Sequence, residues 1–213
     1  MGGTGDTSGA IDTDGAEDAG VSGTDEAGGT GAGRLWTLGH STRTADETVA
    51  LLREFGIARL VDVRTIRGSR HNPQFGAGEM AVWLPAAGID YRWIERLGGR
   101  RRNQHVDPEV NAGWSHPSFH SYADYALGDK FAAGLDELAA LADLPCAIMC
   151  AEAVPWRCHR SLIATALVAR GWQVTHILGP GQQVPHKIGQ WGAQPLMEPD
   201  GRISYPADAL FGP

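Results

Sequence analysis

Short apolar runs alternate along this chain with longer stretches of helical periodicity, and that alternation constrains the fold more than any other feature. Leu35 to Leu38 is an apolar run that stops at Gly39-His40-Ser41. Thr44-Ala45-Asp46-Glu47 reads as a capping box, and Val49, Leu51, Leu52 and Phe55 then recur at helical spacing until Gly56. Leu60 to Arg64 is a second strand, Ala77 to Ala87 a helix with Pro85 in its last turn, and Asp90 to Ile94 a third strand. Residues 95 to 117 form a long polar connection rich in Gly and Arg. Ser118 to Leu127 and Lys130 to Leu141 read as helices, Cys146 to Cys150 as a strand, Cys158 to Arg170 as a helix closed by Gly171, and Trp172 to Leu178 as the last clear strand. Strands and helices in turn predict an α/β fold, a mainly parallel sheet flanked by helices, in a single domain.

The ends of the chain have a different composition. Residues 1 to 33 hold seven acidic residues and no Lys or Arg, with Ile11 and Val21 as the only sizeable branched apolar residues. Such a segment buries too little surface to offset its ordering entropy, so a disordered acidic, Gly-rich tail is expected, either partner-binding or inert. The α/β domain is expected over 34–185, and 186–213 as an extension wrapping the surface, with a short strand at Ile203 to Tyr205. The formal charge of −7 resides wholly in the tail, leaving eighteen acidic and eighteen basic residues beyond it. A neutral body argues against broad coating of nucleic acid, though not against a local basic patch.

No window approaches a membrane span, and no secretory pattern opens the chain. Three cysteines, Cys146, Cys150 and Cys158, are too few for a disulfide framework. A cytoplasmic location and no membrane association are therefore expected.

In open parallel sheets, ligands bind beyond the carboxyl ends of the strands. The first strand ends in His40 and Ser41. The second ends in Asp62 and Arg64, and continues to Arg67, Arg70, His71 and Asn72. The fourth ends in Cys150, Ala151 and Glu152, and leads to Arg157, Cys158, His159 and Arg160. Three strand ends thus bring titratable groups to one rim. Arg64, Arg70 and Arg160, with His40, Ser41, His71 and Asn72, are candidate substrate-binding residues for an anion, because guanidinium forks bind phosphate or carboxylate; the alternative is structural pairing, with Asp62 as the partner. Glu152, Cys158, His159, Cys150 and Asp62 are candidate catalytic residues. A cysteine opening a helix beside His and Arg has a depressed pKa, and Glu152 is placed for proton transfer or for capping.

No metal is expected: Cys150, Cys158 and His159, with His40 or His71, offer ligands, but paired CxxC spacing is missing and adjacent Cys158 and His159 rarely face one ion. No cofactor is expected either, since no strand is followed by a dinucleotide fingerprint or a Walker-type lysine. Gly179-Pro180-Gly181 is a turn. Trp156, beside Arg157, either packs or stacks a base.

Several ordered motifs together resemble one family. Gly39-His40-Ser41, Asp62-Val63-Arg64, Ser69-Arg70-His71-Asn72-Pro73-Gln74-Phe75, Leu97-Gly98-Gly99-Arg100, Cys150-Ala151-Glu152 and Cys158-His159-Arg160-Ser161 are similar to the domain of unknown function 488 (DUF488) family. The resemblance covers about residues 35 to 178 and implies an α/β fold with a shared polar site, but no settled reaction. A fainter similarity to rhodanese-like and cysteine phosphatase domains lies around Cys150 to Gly171, with a much longer span between Cys150 and Arg160 than those domains use. The expected function is an enzyme acting on a phosphate-bearing substrate, nucleotide or nucleic acid, with Arg residues holding the anion and Glu152 or His159 moving protons. The alternatives are a cysteine-dependent sulfur or phosphoryl transferase and a non-catalytic nucleotide- or nucleic-acid-binding module.

Overall fold

Alternating side chains on the strands explain both layers of the core. The computed structural model describes residues 1–2, 33–68, 70–102 and 104–207. The expected disordered tail falls almost wholly on residues outside that set. From residue 33 onward the described chain belongs to one compact unit.

The strands are β1 (Arg34–Gly39), β2 (Arg59–Asp62), β3 (Asp90–Trp93), β4 (Cys146–Cys150), β5 (Gln173–Gly179) and β6 (Gln182–Pro185). They form a six-stranded sheet in the order β3-β2-β4-β1-β5-β6. All neighbours run parallel except β5 and β6, which pair antiparallel. The helices are α1 (Ala45–Glu54), α2 (Ala77–Ala86), α3 (Pro117–Ala126), α4 (Asp129–Ala140) and α5 (Arg160–Ala169). No helix among the described residues is long and apolar enough to cross a membrane.

On one face of the sheet, Leu60, Ala147 and Met149 pack against Leu51 and Leu52 of α1 and Met80 and Leu84 of α2. On the other, Val61, Cys146 and Ile148 pack against Tyr122 of α3, Leu135 of α4 and Ile163 of α5. Strand β2 is buried at every position, as a parallel strand covered on both faces must be. Each fully buried leucine contributes on the order of 1.5–3 kcal/mol.

The capping box at α1 is present: Glu47 N donates to Thr44 Oγ1 at 3.1 Å, and Thr44 N to Glu47 Oε2 at 2.7 Å. Gly56, at φ 64°, ends the helix in the left-handed region. Three elements, α5, β6 and β7 (Leu196–Met197), differ from the sequence reading. Helix α5 begins at Arg160 rather than Cys158, because a 3-10 turn at Pro155–Arg157 precedes it and Cys158 is extended. Strand β6 follows the Gly179–Gly181 turn as a polar edge strand whose composition gives no strand signal. At the C-terminus, β7 (Leu196–Met197) pairs with β8 (Ile203–Ser204). The segment is tied down by Tyr205, whose backbone N donates to Asn111 Oδ1 at 3.0 Å and whose carbonyl accepts from Gly113 N at 2.8 Å.

Candidate functional site

Cys150 closes β4 on the same face as Cys146 and Ile148, the face α5 covers. Period-two alternation therefore turns its thiol toward the residues that lead into α5. Cys158 is extended (φ −135°, ψ 143°) and His159 is helical (φ −55°, ψ −15°). That change of backbone direction lets two adjacent side chains converge, contrary to the expectation that they face apart. His159 Nδ1 lies 3.6 Å from Cys158 Sγ and 3.9 Å from Cys150 Sγ. His159 Nε2 is 3.0 Å from the Val63 carbonyl, which can only accept, so Nε2 carries the hydrogen and Nδ1 presents its lone pair to the sulfurs. The ring packs on Tyr122 at 5.0 Å. A Cβ on Gly99 would stand 2.4 Å from His159 Nδ1, so only glycine leaves room for it.

Arg160 is 1 % exposed. It donates through Nε to Cys158 Sγ at 3.3 Å, through Nη1 to Thr37 Oγ1 at 3.4 Å, and through Nη2 to the Glu152 carbonyl. Burial pushes the Cys158 thiol up, but the hydrogen bond from Cys150 and the Arg160 guanidinium outweigh it and hold Cys158 well below the usual thiol range. Cys150 is pushed well above that range, by its hydrogen bond to Cys158 and by burial. Cys146, buried early in β4, is pushed up to about 12 by burial.

Asp62, Arg64 and His40 form a separate node. Arg64, 5 % exposed, donates to Asp62 Oδ1 from Nε at 2.9 Å, to Oδ2 from Nη2 at 2.7 Å, and to the Phe75 carbonyl from Nη2 at 2.8 Å. Tyr91 also donates to Asp62 Oδ2, at 3.0 Å. His40 stacks on Phe75 at 4.0 Å and donates from Nδ1 to the Ser41 carbonyl at 2.9 Å, leaving Nε2 to accept from Arg64 at 3.2 Å. Burial first, and Arg64 second among the lowering influences, bring His40 down to about 4. Arg64 and Arg160 thus spend their donors on the protein itself, and for Arg64 the pairing with Asp62 is realised. Arg70 and His71 are exposed and Asn72 half-buried before the Pro73–Phe75 turn; Ser41 is half-buried at φ 50°. None of these four lines the cleft described next.

The cysteine and histidine cluster opens into a cleft of about 1070 Å3, lined also by Arg64, Thr65, Gly99, Arg100, Trp114, Phe119, Glu152, Trp156 and Arg157. Trp114 and Phe119 stack at 4.7 Å, and Trp156 is 44 % exposed. Glu152, Arg100 and Arg157 are exposed, and their side chains have no hydrogen-bond or ion-pair partner among the described residues. Arg157 belongs to the residues expected at the fourth strand end, though no binding role was assigned to it; Arg100 and Trp114 were not among the expected site residues. The Gly98-Gly99-Arg100 run in an otherwise polar connection was the available signal for the first of them. Cys150, Cys158 and His159 place three metal-ligating atoms within 4.8 Å of one another.

The profile of the family described as Domain of unknown function DUF488 matches residues 44–167, more than half of the chain. The chain belongs to the DUF488 family. Asp62, Arg64, Cys150, Glu152, Cys158, His159 and Arg160 fall inside the DUF488 match, whereas His40 and Ser41 precede it. No curated protein and no solved structure matches the chain. The rhodanese-like similarity gains no support beside the DUF488 match: the thiol that meets Arg160 is Cys158, two residues before it, not Cys150.

Proposed function

We propose that the cleft is the active site of an enzyme acting on a phosphate-bearing substrate with a planar ring, a nucleotide or a nucleic-acid strand. The observation that carries this reading is the pair of guanidinium groups, Arg100 and Arg157, that have no partner among the described residues and lie on the cleft that holds the Cys150, Cys158 and His159 cluster. Charge-assisted donors of this kind bind phosphate oxygens. Trp114 and Trp156 supply ring faces on which a base stacks, and the cleft is large enough for a mononucleotide. Glu152, exposed and with no side-chain partner among the described residues, lies beside the cluster and is the group that moves a proton. Arg64 and Arg160 act as scaffold in this reading, not as the anion fork.

Calorimetric titration with a nucleoside monophosphate tests it. Arg100→Ala and Arg157→Ala should each weaken binding about tenfold or more while leaving the melting temperature unchanged. Equal affinity in parent and variants would refute it. A second reading, Cys158 as a covalent nucleophile in sulfur or phosphoryl transfer, is favoured by the Arg160 contact at 3.3 Å. It requires an adduct on Cys158 that mass spectrometry detects after acid quench.

A further inference from the structure

The spacing of the three cleft-floor donors fits a tetrahedral ion. With Zn–S near 2.3 Å and Zn–N near 2.0–2.1 Å, a tetrahedron separates sulfur from nitrogen by about 3.6 Å and sulfur from sulfur by about 3.8 Å. The two sulfur–nitrogen separations here are 3.6 and 3.9 Å, and all three donor atoms fall within 4.8 Å. We propose that Cys150, Cys158 and His159 form a three-ligand site for a soft divalent cation of the zinc class, with its fourth position open to the cleft.

Three further features support the ligand set. The imidazole is fixed by its own outer partner: Nε2 donates to the Val63 carbonyl at 3.0 Å, the arrangement that orients metal-bound histidines and sets their tautomer. The ring is confined between Tyr122 and the Gly99 backbone, so Nδ1 keeps its aim whether or not an ion is present. Arg160 donates to Cys158 Sγ at 3.3 Å, an outer contact that steadies a ligating sulfur and offsets thiolate charge. Two thiolates and an imidazole favour a zinc-like ion over calcium or magnesium, which prefer oxygen.

All three donors line the cleft, so a fourth ligand would come from solvent or substrate, as in catalytic rather than structural zinc sites. The ligand set stands on its own geometry. Its use in catalysis rests on the function proposed above and narrows it: an ion here would polarise a substrate oxygen or activate water for hydrolysis, with Glu152 accepting the proton that the water loses.

The test uses the full chain, stripped of metal by a chelator under reductant and titrated with cobalt(II). One equivalent should produce a sulfur-to-cobalt charge-transfer band and tetrahedral ligand-field bands, and zinc should abolish both. C150S and C158S, each removing a ligand, should weaken binding by more than the roughly 10–100-fold that loss of an outer partner costs, while C146A leaves it unchanged. Cobalt binding without the sulfur band, or binding indifferent to C150S and C158S, would overturn the site.

A second measurement needs no variant. Zinc should protect Cys150 and Cys158 of the parent protein from iodoacetamide, as mapped by mass spectrometry. Unprotected labelling of both would equally overturn the site. Nucleotide titration of the same metal-free protein reports on the anion cleft independently, so a failure of the metal site and a failure of the substrate reading are told apart.

Discussion

His176 Nε2 lies 2.9 Å from His186 Nδ1, in the middle of a one-way hydrogen-bond chain that begins at Arg160 and returns to α5. Arg160 donates to Thr37 Oγ1, whose hydroxyl donates to His176 Nδ1 at 2.7 Å. His186 Nε2 donates to Thr165 Oγ1 at 3.0 Å, and Thr165 donates to the Ser161 carbonyl at 3.0 Å. Every donor meets an acceptor only if both imidazoles are neutral with hydrogen on Nε2.

Acid should therefore loosen this network. Burial, the other imidazole and Arg160 bring His176 down to about 3, against a weaker opposing pull from Cys158, and burial brings His186 down to about 4. An unfolded histidine titrates near 6.5. Below that value the unfolded chain binds more protons, so the stability these residues confer is complete above about pH 6.5 and is lost as pH falls toward about 4 for His186 and about 3 for His176. Urea unfolding should give lower stability at pH 5 than at pH 7, with a smaller difference in the His176→Gln, His186→Gln double variant. The buried His40, at about 4, acts in the same direction and should retain part of the slope.

The two classes of arginine should separate experimentally. Arg64→Ala leaves Asp62 buried without its counter-ion and should destabilise the fold by about 3–5 kcal/mol. Arg100→Ala removes an exposed guanidinium and should leave chemical denaturation unchanged while weakening nucleotide binding. The reverse pattern would place the anion fork at Arg64 after all.

Gly99→Ala should be destabilising by about 1–3 kcal/mol, since its Cβ would stand 2.4 Å from His159 Nδ1. In a His159→Ala background the same change should cost clearly less, giving a measurable coupling in a double-mutant cycle. Additive costs would mean that the crowding lies elsewhere.

Much of this architecture was legible in the residues. The apolar runs at Leu35, Leu60 and Cys146 are strands because they are covered on both faces, and the Thr44 capping box marks a helix start in a purely local way. The family likeness also followed from motifs in order. What could not be read was which partner a buried charge would choose: Arg64 has Asp62 two residues away and a cleft nearby, and only the packing of Phe75 and His40 around it decides for Asp62. The approach of Cys158 and His159 to one point depends on a backbone turn at Pro155–Arg157, to which side-chain patterns are blind. Arg100, Trp114 and Arg157 lie on irregular segments, whose positions come from tertiary contacts such as that of Gly192 against the Trp114 ring.

The central claim is that one cleft joins a metal-ligating floor to an anion- and base-binding rim. A crystal structure grown with zinc and a nucleoside monophosphate, with diffraction recorded at the zinc absorption edge, addresses it most directly. The account predicts an anomalous peak bounded by Cys150, Cys158 and His159, with the phosphate in hydrogen-bond reach of Arg100 or Arg157 and the base against Trp114 or Trp156. A peak elsewhere, or a nucleotide bound away from this cleft, would contradict it.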